Sequence, residues 1–232
     1  MDPSVRWDDD IGVTRMSFTA KSSYPPSWYA ASATQLPEQP ILQGRIDADI
    51  CILGAGYTGL SVALELAEAG YKVVILEAER IGWGASGRNG GQAIAGFGCG
   101  EAKLEALVGF DDARKMFDLS REGLQWLRDR IKKHGIECDW RDGHATVPIK
   151  PRQQREVLAA VEDFNTRYDY PVQWWDREKL REHLASDRYL GALYDPESGH
   201  LHPLEYALGL ARAAMAAGVR IFEHSKVTQL VR

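Results

Sequence analysis

The chain has 232 residues, 44% of them hydrophobic, and a formal net charge of -5, which is enough apolar material to bury the core of one domain or one and a half and too much for wholesale disorder. Acids and bases are mixed along the sequence without a basic stripe, which excludes nucleic acid as the expected partner. No leader pattern opens the chain and no apolar run approaches a membrane span, so a cytoplasmic protein without a membrane partner is expected.

In chain order, residues 1–46 show neither a helical nor a strand period and contain Pro25, Pro26, Pro37 and Pro40. They predict an extended arm whose Trp28 and Tyr29 dock on the globular body. The run Asp49 to Leu53 predicts a buried parallel strand ending at Gly54. A helix follows with Leu60, Val62, Ala63, Leu66 and Ala67 on one face and Gly70 as its stop, and Val73–Leu76 then predicts a second buried strand ending at Glu77. This strand, helix, strand unit must cross over right-handed.

Residues 81–100 read as a glycine-rich loop. Asp111 or Asp112 can cap the long helix that follows, with Ala113, Met116, Phe117, Leu124, Leu127 and Ile131 on its buried side, the charged run Arg128 to Lys133 solvated, and Gly135 at its exit. Residues 137–140 and 144–149 predict a hairpin around Arg141, Asp142 and Gly143. Pro151 opens a helix to about Tyr168, Asp176 caps a short one through Leu184, and Tyr189 to Tyr194 reads as a strand. Pro203 starts an alanine-rich helix to Ala217 that Gly218 ends, and Val219 to Phe222 and Lys226 to Val231 return to strand character.

The first turn reads Gly54-Ala55-Gly56-Tyr57-Thr58-Gly59, the dinucleotide fingerprint in its required context. Gly54 permits the tight turn, Gly56 keeps side chains away from a pyrophosphate, and Gly59 lets the helix approach the strand. Tyr57 and Thr58 open the helix whose free N–H groups then face the phosphates. Glu77, 23 residues after Gly54, sits with Ala78 at the end of the second strand, where its carboxylate can accept from both ribose hydroxyls and repel a 2'-phosphate. The fingerprint alone does not separate FAD from NAD. The following loop, Gly82 to Gln92, offers Ser86 and Arg88 to pyrophosphate oxygens, and its N–H groups around Asn89, Gly90, Gly91 and Gln92 to the polar edge of a flat ring.

The segments GAGYTGL, VVILEAERIG and GASGRNGGQ resemble the FAD-binding opening of the D-amino acid oxidase type of FAD-dependent oxidoreductases, a family that includes glycine oxidase and sarcosine oxidase. The runs Ala185 to Tyr189 and Gly199 to Leu204 resemble in particular its gamma-glutamylputrescine-oxidising members. The resemblance implies an α/β fold: a Rossmann-like FAD-binding domain with an interleaved α+β substrate domain. Its parts are an extended N-terminal arm at 1–46, the first part of the FAD-binding domain at 47–135, a partial substrate domain at 136–200 and a return to the FAD-binding domain at 201–232. It further implies FAD as cofactor and an amine and dioxygen as substrates, with imine hydrolysis to aldehyde and ammonia and release of hydrogen peroxide. Val227 matches a family valine whose backbone contacts the adenine. Family members continue beyond the position of Arg232, so a chain truncated at its C-terminus is expected, with a non-catalytic nucleotide-binding fragment as the alternative reading.

No catalytic side chain is assigned, because the cofactor carries the chemistry in such enzymes. His200 and His202 lack a third ligand at metal-site spacing, so no metal is expected, and packing is their expected role. Trp174 and Trp175 can line an amine pocket but fit a packing anchor better. Cys51, Cys99 and Cys138 show no paired spacing and are expected to be buried structural residues without disulfides. A methyltransferase shares the acid and first turn, yet has no use for Gly59 and the second glycine-rich loop.

Overall fold

The computed structural model describes residues 23–231; residues 1–22 of the expected arm lie outside the described residues. Two compact units form. Of the described residues, the first comprises 23–90, Ile136–Cys138 and 203–231; the second comprises Gly91–Gly135 and Asp139–His202.

In the first unit, a short helix α1 (Trp28–Ser32) precedes β1 (Ile50–Leu53), α2 (Tyr57–Glu68) and β2 (Val73–Leu76), and α7 (Pro203–Ala216) and β7 (Arg220–Phe222) close it. The three strands form a parallel sheet in the order β1-β2-β7. Because side chains alternate along a strand, Ile52 and Ile75 share the face toward α2, whose Leu60, Ala63 and Leu64 are buried. Helix α7 packs on α2 and is buried nearly all round. On the opposite face, Leu42, Ile46 and Val227 pack on Val74, Leu76 and Phe222.

That cover does not extend to β1. Cys51 and Leu53 are exposed there, so β1 is half-buried where the sequence predicts full burial. Cys99 is exposed as well, leaving only Cys138 buried. The expected strand over Lys226 to Val231 does not form; the segment is irregular, because β7 ends at Phe222 and the chain turns through His224 at positive φ. Trp28 is 78% exposed, so it does not dock as expected. The arm is anchored by Tyr24 instead, whose hydroxyl donates to the Ile81 carbonyl at 2.7 Å.

The second unit holds β3 (Gln92–Ala93), α3 (Glu101–Val108), α4 (Phe110–His134), β4 (Arg141–Thr146), α5 (Pro151–Thr166), β5 (Gln173–Trp175), α6 (Arg177–Arg181) and β6 (Ala192–His200). Strand β6 is the centre of an antiparallel sheet, pairing with β3, β4 and β5. Phe117 of α4 enters a cluster with Tyr168, Tyr170, Val172 and Leu193, with edge-to-face ring contacts at 5.0 and 5.1 Å to the two tyrosines. This packing carries Gly91–Gly135 into the second unit, whereas the sequence places a boundary at residue 135.

Three local expectations change here. Helix α4 begins at Phe110 with Gly109 as its N-cap, so Asp111 and Asp112 lie inside its first turn, where they complement the helix dipole rather than cap it. The expected hairpin is a single strand: Arg141, Asp142 and Gly143 belong to β4, and Gly143, at φ +92°, accommodates a bulge in the pairing with β6. The run Arg128 to Lys133 is not wholly solvated, since Arg130 is buried and Arg128 donates to Asp142 at 2.6 Å.

Candidate dinucleotide site

The glycine turn joins β1 to α2. Gly54 has φ +98°, a conformation that side chains disfavour. A Cβ on Gly59 would lie 2.1 Å from the Gly54 carbonyl oxygen and 3.2 Å from Ile52 Cγ2, so the approach of α2 to β1 requires a residue without a side chain. At Gly56 a Cβ would meet Ser86 Oγ at 2.9 Å.

At the start of α2, the Leu60 amide makes the first intrahelical bond, to Gly56 O. The Tyr57 amide donates to Ser86 Oγ at 3.0 Å. The amides of Thr58 and Gly59 have no acceptor among the described residues, which leaves two N–H groups at the positive end of a twelve-residue helix. Ser86 Oγ, having accepted from Tyr57, retains its own proton for an incoming acceptor.

Glu77 closes the other side of the turn. Its Oε2 accepts from the Ala55 amide at 2.6 Å and its Oε1 from the Glu79 amide at 2.9 Å. An ionised carboxylate has about four acceptor positions, so a capacity of two remains for donors from a ligand. Ala78 is exposed beside it.

The loop after β2 is latched to the same place. Asn89 Nδ2 donates to Tyr57 Oη, Ala85 O and Ser86 O, and the Tyr57 hydroxyl donates to Pro203 O at 2.9 Å. Burial pushes the Tyr57 phenol up to about 12, so it remains a neutral donor in the physiological range. Gly87 holds the turn, because a Cβ there would lie 2.2 Å from Gly82 O. The structure thus gathers Gly54, Gly56, Tyr57, Thr58, Gly59, Glu77, Ser86 and Asn89.

Arg88 is held elsewhere: its guanidinium lies 4.8 Å over Trp83 and its Nε donates to Gly84 O. Gly90 is exposed at the end of the first unit. Gly91 and Gln92 belong to the second unit, where Gly91 O accepts from the Leu201 amide and Gln92 pairs with His200. Val227 turns its side chain into the cluster with Val74, and its backbone groups are unpaired among the described residues. Trp175 stacks between Tyr194 at 3.9 Å and His183 at 4.6 Å, and the Trp174 ring sits over Gly191; both anchor the sheet. Among the described residues no group of three metal-ligating side chains forms and no helix is long and apolar enough to cross a membrane.

One participant escaped the sequence reading. Glu223, 1% exposed, accepts from Arg80 Nε at 3.0 Å and from the Ile81 amide at 2.7 Å, tying the end of β7 to the loop that follows Glu77. An isolated acid after a short apolar run is a faint signal, and its partners are remote in sequence.

A family model described as FAD dependent oxidoreductase matches residues 49–232. The chain belongs to this family. Over 206 residues it is 46% identical to the probable oxidoreductase OrdL of Haemophilus influenzae, covering 88% of this chain and 48% of the relative. It is 42% identical over 209 residues to the gamma-glutamylputrescine oxidoreductase of Escherichia coli strain K12, covering 90% of this chain and 49% of that one. The chain therefore spans about half the length of these curated relatives. Its fold is similar to that of L-amino acid deaminase from Proteus vulgaris, with a TM-score of 0.66 and 23% identity over 84% of this chain and 45% of that one. FAD is thus the cofactor to which the site must be fitted, and the bare Thr58 and Gly59 amides, the side-chain-free turn and the spare capacity of Glu77 fit its diphosphate and ribose.

Proposed function

We propose that this chain is the cofactor-binding portion of an FAD-dependent amine oxidoreductase acting on gamma-glutamylputrescine or a chemically similar amine. The observation that carries the cofactor part is the pair of unpaired amides, Thr58 and Gly59, facing the turn that Glu77 closes. In this reading those amides and the Ser86 hydroxyl donate to the pyrophosphate, Glu77 accepts from the adenosine ribose, and the Val227 backbone meets the adenine. Roles for Ala78, Arg88, Asn89, Gly90, Gly91 and Gln92 toward the cofactor rest on the sequence of the strand end and the glycine-rich loop and on the family resemblance. The division into an FAD-binding domain and a partial substrate domain rests on that resemblance alone. The amine is supported by the 42% identity to gamma-glutamylputrescine oxidoreductase.

Bound FAD supplies a two-electron acceptor for hydride from the carbon that bears nitrogen, with dioxygen as the terminal acceptor and hydrogen peroxide as its product. The oxidised substrate, an imine, hydrolyses to an aldehyde and ammonia. The described residues contribute binding and orientation, and the neutral Tyr57 keeps the loop carrying Ser86 in register.

The test is to load the protein with FAD and add gamma-glutamylputrescine without oxygen. Bleaching of the flavin absorbance by this amine, and recovery with peroxide release on admitting air, is the expected result. Flavin that binds but is not reduced by any amine overturns the substrate assignment, and failure to bind FAD overturns the cofactor site.

A further inference from the structure

We propose that the segment from Ser23 to Leu42 is a strap that holds the dinucleotide site in shape, with Glu223 as the positioning residue through which it acts. This inference rests on the cofactor reading above.

The strap is tied at several points along its length. The Gln39 amide donates to Glu223 Oε2 at 2.8 Å, and the Leu36 carbonyl accepts from Arg80 at 3.3 Å. The Leu42 amide donates to Ser225 Oγ at 3.0 Å. Toward the start of the strap, the Tyr24 hydroxyl reaches Ile81 O, Trp83 Nε1 donates to Ser23 O at 3.1 Å, and the Arg80 guanidinium lies 5.0 Å over the Tyr24 ring. Each of these partners lies within 80–83 or 223–225.

Those two segments also frame the site. The Glu77 amide donates to Phe222 O, Ser225 N donates to Glu77 O, His224 N donates to Glu79 O, and Gly82 N donates to Ala55 O, all at 2.8 to 3.0 Å. Glu77 in turn grips the Ala55 amide inside the glycine turn. Glu223 is the junction: a carboxylate this deeply buried is tolerable only when its charge is paired and its oxygens are satisfied. Its three donors come from the strap (Gln39) and from the loop (Arg80 and Ile81). Removing the strap leaves the carboxylate short of a donor and lets the 78–83 loop relax away from Glu77. A dinucleotide must then order that loop as it binds, which weakens affinity.

The experiment compares the full chain with its Glu223→Gln and Tyr24→Phe variants. Hydrogen exchange at the Ala55, Glu79 and Gly82 amides is measured without FAD, and FAD affinity by flavin fluorescence quenching. Both variants are expected to exchange faster at these three amides and to bind FAD more weakly, by about tenfold for Glu223→Gln, corresponding to loss of roughly one charge-assisted hydrogen bond. Tyr24→Phe removes a single strap contact and decides the matter if Glu223→Gln fails to fold. Unchanged exchange in a folded variant overturns the strap, and faster exchange with unchanged FAD affinity overturns its positioning role. A parent chain that binds no FAD while its variants exchange faster overturns the cofactor reading and leaves the strap standing.

Discussion

Gly59 and Tyr57 show how single residues set the geometry of the turn. At Gly59 the obstacle to a side chain is a carbonyl oxygen of the backbone 2.1 Å away, which cannot rotate aside. Gly59→Ala is therefore expected to lift α2 from β1, to cost about 1–3 kcal/mol, and to weaken FAD binding, measured by denaturant melts and fluorescence titration. Val62→Ala, at a position 44% exposed on the same helix, is the control and is expected to change stability by no more than about 0.5 kcal/mol. Tyr24 and Tyr57 add a pH signature. Burial raises both phenols from an ordinary value of 10.0 to about 12, so the folded state favours their neutral forms. Their contribution to stability is complete below pH 10 and is lost as pH rises toward about 12. Alkaline unfolding followed by tryptophan fluorescence is expected to show this loss, and the double variant Tyr24→Phe, Tyr57→Phe to reduce it, the buried Tyr168 and Tyr170 phenols, also raised, supplying the rest; an unchanged alkaline profile contradicts the assignment.

Among the elements, the ones legible in the sequence are those whose signals are local. Strand β2 carries four consecutive apolar residues bounded by Lys72 and Glu77, and the structure buries all four. Helix α7 starts at Pro203 and ends at Ala216, just before Gly218 at φ +97°, because those two residues act on their own backbone. Elements decided by distant partners read differently. Gly143 looks like a hairpin turn, yet pairing of His144 and Ala145 with Asp195 and Tyr194 on β6 keeps the strand going and leaves the glycine opposite a bulge in β6. The arm offered Trp28 as its obvious anchor, whereas Gln39 finds Glu223 184 residues away, a pairing no window of sequence contains. The candidate site divides the same way: its turn and acid are local and were readable, while the Glu223 junction was not. Helix α4 supplies the test at this scale. Phe117→Ala, which empties the centre of the aromatic cluster, is expected to destabilise the second unit by about 3–5 kcal/mol. Leu119→Ala, at a position 64% exposed, is expected to change it by no more than about 0.5 kcal/mol. Equal effects of the two contradict the placement of α4.

For the molecule as a whole, family membership is shown by the match over residues 49–232, and the account's central claim is that a dinucleotide lies against the start of α2 beside Glu77. The most direct test follows the backbone amide resonances of Thr58 and Gly59 while FAD is added. The account predicts large downfield shifts of these two amides, as they gain charged phosphate acceptors, with amides on the outer face of α4 unmoved. FAD binding that leaves both amides where they were contradicts it.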